Sequence, residues 1–272
     1  MQVLSQDAQK ENVDFKAVSA EVTVLPKEEM VTGSVEYSFQ VLKETDSIYI
    51  DARNMEVTKL QVNGNVADFS NTGSRIWVKK KFFPSEENII NLEYSATPKQ
   101  ALYFINWNAP DSLNAMKQVW TQGQGKNTSH WLPSFDDMAE KATFSMKISF
   151  PEDYKVIANG ELKNRKAIND SLVQWHYAME KPMSSYLVAF AAGDFEEAKI
   201  PSNSGISLIN YYEPTDKNKV EPTYRYSAEI FEFLEKETGV DYPWQNYKQV
   251  LRFGIFCIPE WRIRVQQFFQ EP

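Results

Sequence analysis

Val35-Glu36-Tyr37-Ser38-Phe39-Gln40-Val41 alternates apolar and polar side chains at every step. Successive side chains of an extended chain point to opposite faces, so the stretch reads as a strand with one buried face. A helix would need its apolar residues three and four apart. The same reading extends outward to 47–51, to 56–62 ahead of Asn63-Gly64, to 75–78 and to 89–94. It continues at 142–150, at 154–158 ahead of Asn159-Gly160, at 172–177 and at 186–192. Asn-Gly pairs suit tight turns with positive φ. No helical pattern intervenes between about 13 and 200, so the spacing predicts a mainly β fold of antiparallel sheets and no βαβ units.

The pattern changes after Pro201. One further strand is predicted at 207–212, and then Tyr226, Ile230, Phe233 and Leu234 recur at helical spacing. Gly239 stands as a helix stop with Pro243 beyond it, so a helix is predicted over 222–236. A second domain therefore starts near Gly205, with one strand and one helix, too little to bury a core of its own.

A chain of 272 residues with 42% hydrophobic content dispersed along its length is long enough for one large core or two smaller ones. The formal net charge of −8, with acids spread throughout, speaks against a nucleic-acid partner, which would need clustered Lys and Arg. Lys79, Lys80 and Lys81 read as a solvated strand end. No run approaches the roughly 18 apolar residues of a membrane span, and the first residues lack the basic start and apolar run of a signal peptide. The default expectation is a cytoplasmic chain without a membrane partner, which an export leader lost from the N-terminus would change. Cys257 is the single cysteine, so an internal disulfide and a thiolate zinc cluster are excluded.

The two histidines, His130 and His176, are too far apart in sequence to present two imidazoles on one helical face. The sequence therefore offers no metal ligands and no catalytic residue of its own. His176 has the solvent-facing parity of its strand, and His130 reads as structural. Gly125-Lys126 lacks the Ser or Thr of a phosphate loop, and Asn127-Thr128-Ser129 is read as a chance match to a glycosylation sequon. Asp136-Asp137 reads as turn capping, because adjacent residues of an extended chain face opposite ways.

Several motifs then follow one another in a familiar order. Thr121-Gln-Gly-Gln-Gly125 precedes His130-Trp-Leu-Pro-Ser-Phe-Asp-Asp137 and Lys141-Ala-Thr-Phe144. After these come Val156-Ile-Ala-Asn-Gly160, Met183-Ser-Ser-Tyr-Leu-Val-Ala-Phe190 with Gly193-Asp-Phe195, and Tyr242-Pro-Trp244 with Tyr247. In this order they resemble the N-terminal part of the zinc aminopeptidases related to aminopeptidase N and leukotriene hydrolase. The resemblance implies a β saddle or sandwich over 1–204, followed over 205–250 by the truncated start of a thermolysin-like α+β catalytic domain. It implies a full-length parent that removes N-terminal residues from peptides with zinc as cofactor, its partners being the peptide N-terminus and the missing catalytic domain. It also implies that Gln124, with Gln122 beside it, meets the substrate's free amino group. A neutral amide carbonyl accepts hydrogen bonds from an ammonium, although Gln forgoes the full charge of Glu. Without the resemblance, both glutamines read as loop-closing residues. The rival reading is an autonomous β-sandwich module that binds protein or carbohydrate.

The family pattern breaks after Tyr247-Lys-Gln-Val250, where a Gly-x-Met-Glu-Asn segment is expected and is absent. Permitted synonymous codons for 258–272, read in a shifted frame, spell Ser-Gly-Met-Glu-Asn-Thr-Ser-Ala-Thr-Ile-Phe. The single codon of Trp261 constrains that match. The expectation is that 251–272 is an out-of-frame tail in which Cys257 and Trp261 carry no functional meaning, and that this chain alone does not catalyse the parent's reaction.

Overall fold

The computed structural model describes residues 7–113, 115–251 and 265–267, so the calls on Cys257 and Trp261 lie outside the described residues. A short helix α1 (Asp7–Asn12) leads into β1 (Val13–Leu25), β2 (Met30–Val41), β3 (Thr45–Asp51), β4 (Met55–Val62) and β5 (Asn65–Val66). Then come β6 (Phe69–Asn71), β7 (Arg75–Phe82), β8 (Ser85–Ala96), β9 (Leu102–Ile105), β10 (Gln118–Thr121) and β11 (Lys141–Pro151). The chain continues through β12 (Lys155–Ala158), β13 (Glu161–Ala167), β14 (Leu172–Ser184), β15 (Phe190–Gly193), β16 (Glu196–Ile200) and β17 (Ser207–Tyr212). Helices α2 (Lys217–Tyr224) and α3 (Ser227–Thr238) precede β18 (Asn246–Leu251) and β19 (Val265–Gln267). Among the described residues no helix is long and apolar enough to cross a membrane.

The fold is mainly β, as the alternation predicts. Eight strands form one sheet in the order β13-β14-β11-β1-β2-β8-β4-β5, and β3-β7-β6 form a small second one. Val35, Tyr37, Phe39 and Val41 are all buried on one face of β2. In β1 the buried parity switches from Val13 and Phe15 to Val18, Ala20, Val22 and Val24. The switch is a β-bulge between Phe15 and Ala17, which inserts one residue against β2 and keeps both halves facing the core. The expectation of purely antiparallel sheets needs one amendment. β1 and β11 pair in parallel, with Ala17 opposite Thr143. The long excursion through β2 to β10 supplies the crossover that a parallel pair requires.

A third sheet, four-stranded in the order β12-β15-β10-β9, carries the loop that follows β10. A fourth, β16-β17-β18-β19, begins before Gly205 and continues beyond it, because β16 and β17 pair antiparallel. β17 and β18 run parallel and are joined by the two helices, a βαβ unit that the reading of a lone strand and helix did not anticipate. The helix predicted over 222–236 is two helices meeting at Arg225 and Tyr226. Gly239 ends α3 in the left-handed region at φ 67°, its N–H donating to the Glu235 carbonyl.

The helical stripe expected at Tyr226, Ile230, Phe233 and Leu234 does not face the sheet. These residues are 57%, 57%, 58% and 50% exposed. Phe231, one step off that stripe, is the buried contact, with its ring 5.1 Å from Tyr242 and 5.6 Å from Tyr247. Helix α3 is thus apolar on two sides, one covered and one open.

Candidate functional site

Every residue of β10 is buried, held between β9 and β15, and this central strand delivers the chain into the glutamine loop. The Thr121 hydroxyl accepts from the Phe190 N–H at 2.9 Å on β15. Gln122 N–H donates to the Ala101 carbonyl at 2.7 Å, which fixes the first residue of the loop. The turn over 124–127 is closed by Asn127 N–H on the Gly123 carbonyl at 2.9 Å and Asn127 Nδ2 on the Gln124 carbonyl at 2.7 Å. Gly123 is packed so tightly that a Cβ there would lie 2.5 Å from Thr128 Oγ1 and 2.5 Å from the Tyr186 carbonyl. In consequence the backbone is held while the Gln124 side chain projects into solvent. Gln122 is half-buried beside it.

What holds the far end of the loop is a buried carboxylate. Asp136 is 6% exposed, and its Oδ2 accepts from Ser129 N–H at 2.9 Å. Its Oδ1 accepts from the hydroxyls of Ser134 and Ser185, each at 2.8 Å. Asp136 N–H donates to Asp51 Oδ2 at 3.1 Å, and the other oxygen of Asp51 takes Arg75 Nε at 3.1 Å. Burial raises the Asp51 pKa above its ordinary value, opposed by hydrogen bonds from the Asp136 backbone and Arg75. Arg53 N–H donates to the Ser129 carbonyl at 2.7 Å. The hydroxyls of Tyr37 and Tyr94 donate to the Pro133 and Trp131 carbonyls at 2.6 and 3.0 Å, clamping the segment after the loop.

Asp136 is therefore a hub tying together residues distant in sequence, while Asp137 alone does the local capping, accepting from Ala139 N–H at 2.8 Å. The adjacent pair looks symmetrical in sequence. Only the fold brings Ser185 and Asp51 to one member of it.

The structure brings Gln122 and Gln124 together on one loop and leaves the histidines apart. His130 follows that loop, with Gln100 Nε2 donating to its Nε2, and burial lowers its pKa from the ordinary value, helped by Arg53. His176 is half-buried on the outer face of β14, where its Nε2 and Ser145 Oγ share a 2.9 Å hydrogen bond. Among the described residues no three or more His, Cys, Asp or Glu are grouped to hold a metal ion. A cleft of about 520 Å³ lined by Lys117, Asp153, Asp194 and Glu213 does not include either glutamine. Thr128 of the sequon is buried, with its hydroxyl donated to the Ser185 carbonyl at 2.9 Å.

Comparison with known proteins gives consistent results. The family described as Peptidase M1 N-terminal domain matches residues 16–187. The chain is 24% identical over 263 residues to glutamyl aminopeptidase of Bos taurus, covering 89% of this chain and 27% of that protein. It is 26% identical over 230 residues to leucine aminopeptidase 2 of Yarrowia lipolytica, covering 81% and 34%. The chain thus spans about a third or less of the length of these curated relatives. An M1 zinc metallopeptidase from Deinococcus radiodurans superposes with a TM-score of 0.76 at 18% identity, over 89% of this chain and 57% of that one.

Proposed function

The chain belongs to the M1 peptidase family through its N-terminal domain, and we propose that it supplies the amine-recognising loop of a zinc aminopeptidase that removes N-terminal residues from peptides. The observation that carries this reading is Gln124: an exposed amide on a loop whose backbone is held at both ends, inside the matched segment. In the proposed role the Gln124 side-chain carbonyl accepts a hydrogen bond from the substrate's ammonium, with Gln122 beside it. Holding the loop in advance removes an ordering cost from binding and fixes where the peptide's first residue begins. Zinc, in this reading, belongs to the rest of the parent, where it would activate water and polarise the scissile carbonyl. The described residues do not fit a zinc site, since His130 and His176 sit on separate elements with their own partners.

The open side of α3 is assigned in this proposal to the catalytic domain. A helix apolar on two sides belongs inside a larger body, and Tyr226, Ile230, Phe233 and Leu234 are the surface left for it. Residues 251–272 are proposed to be an out-of-frame tail, and sequencing the DNA across codons 248–262 tests this. A nucleotide sequence there in which no one-base shift encodes the expected Gly-x-Met-Glu-Asn segment overturns it.

The test of Gln124 uses the full-length enzyme with the catalytic reading frame continuous. Replacement of Gln124 by Ala removes a hydrogen bond to a charged partner, worth about 1.5–3 kcal/mol, or roughly tenfold to a hundredfold in kcat/KM for unblocked peptides. Gln124→Glu preserves or raises affinity for the ammonium. An Ala variant with unaltered kinetics reassigns Gln124 as a loop residue.

A further inference from the structure

Strand β18 has two faces with different tasks. Tyr247 packs with Leu208 and Phe231 under the helices, whereas Val250 packs with Ile105, Trp120 and Ile157 of the β12-β15-β10-β9 sheet. Lys248 shares the parity of Val250 and is 6% exposed. Its Nζ donates to the Gly160 carbonyl at 2.6 Å and the Ala158 carbonyl at 3.0 Å, and lies 4.7 Å from the centre of the Tyr177 ring. Asn246 Nδ2 reaches the same Gly160 carbonyl at 3.2 Å. Among the described residues no carboxylate forms an ion pair with Lys248. An ammonium withdrawn from water without a carboxylate in contact is costly, and what this one makes in exchange is a pair of directional bonds between two sheets.

Those bonds end on a turn that is itself wired to the glutamine loop. Asn159 Oδ1 accepts from Ala189 N–H at 2.6 Å, and the next residue, Phe190, donates its N–H to the Thr121 hydroxyl. Thr121 directly precedes Gln122. A continuous hydrogen-bonded path therefore runs from β18 through 158–160 and 189–190 to the start of the loop.

We propose that Lys248 is a positioning residue, a buried cationic strut that fixes the 158–160 turn against β18 and through it sets the placement of the Gln122–Gln124 loop. Its consequence for peptide binding rests on the amine-recognition reading above; the mechanical coupling does not. Coupling is read at the far end of the path, in the Gln122–Gln124 loop.

The experiment compares this chain with K248M and K248R by amide hydrogen exchange and by NMR titration of the Lys248 Nζ. Met keeps length and apolarity but removes the donors, and exchange at 158–161 and at 121–127 should quicken roughly tenfold while β1, β2 and β11 stay unchanged. Arg, which retains donors and charge, should show a smaller effect. Burial lowers the Lys248 pKa to about 8, so the amide shifts of Gly160 and Gly123 should both follow the Nζ titration there and lose that step in K248M. Glu161, Tyr177 and Tyr242 are the other titratable groups around it, and burial raises both tyrosines away from this range. Unchanged exchange at 121–127, faster exchange everywhere, or a Gly123 shift indifferent to the Nζ titration each overturns the proposal. If K248M does not fold, the wild-type titration decides alone. No peptide or metal enters these measurements, so a failed strut leaves the amine reading standing, and an inert Gln124 variant leaves the strut.

Discussion

Replacing Asp136 with Ala separates a buried hub from a surface cap, because Asp137→Ala is its control one residue away. The Asp136 substitution strips three acceptor contacts, from Ser129 N–H and the Ser134 and Ser185 hydroxyls. All three donors belong to buried residues, so water does not readily replace the carboxylate. A hydrogen bond to a charged group contributes about 1.5–3 kcal/mol, but three on one carboxylate are not additive, and removal of the charge also relieves its desolvation. A net loss of about 3–5 kcal/mol is expected, within the range for breaking a buried polar network. Asp137→Ala gives up one exposed contact to Ala139 N–H and should cost about 0.5–1 kcal/mol. Asp136→Asn should fall between them, since its Oδ1 can serve Ser129 N–H while the serine hydroxyls rotate to accept from Nδ2. Equilibrium urea unfolding followed by circular dichroism gives the three free energies. Equal losses for the two alanine variants would refute the hub.

Three further outcomes follow from the geometry. Gly160→Ala combines φ 76° with a Cβ placed 2.1 Å from the Ala178 carbonyl, and should destabilise the chain by about 2–4 kcal/mol in thermal or urea unfolding; a loss below 1 kcal/mol counts against that turn. The Lys248 pKa falls from 10.5 to about 8 on folding, so the unfolded chain binds more protons between those values and stability rises with pH across that window, by up to roughly 3 kcal/mol. That gain is lost as pH falls through 8 and should be missing from Lys248→Met in unfolding measured at a series of pH values. Ile230→Lys with Phe233→Ser should leave the far-ultraviolet circular dichroism unchanged and reduce self-association by light scattering, because both side chains are more than half exposed; a loss of fold would mean that they are core residues.

Alternation was enough to read β2, because a strand with one wet face writes its burial directly into its sequence. The turn at Asn159-Gly160 was equally legible, since few residues other than glycine accept φ 76°. The order of motifs carried the family, and it is the resemblance, not spacing, that singles out Gln124 for the proposed role. Strand β10 was not legible: Gln118-Val-Trp-Thr121 is buried on both faces and shows no alternation, although it is the strand that aims the loop. The two aspartates at 136 and 137 are chemically identical in the sequence. Which one is the hub depends on Ser185 and Asp51, which lie 49 and 85 positions away. In the same way, helical spacing could count the apolar residues of α3 but not say which stripe meets the sheet. Periodicity is a local property, and so the sequence by itself determined strands, turns and helix ends. Contacts between distant segments are fixed only when chain topology brings them together, and these decided the parallel β1–β11 pair, the Asp136 hub and the burial of Lys248.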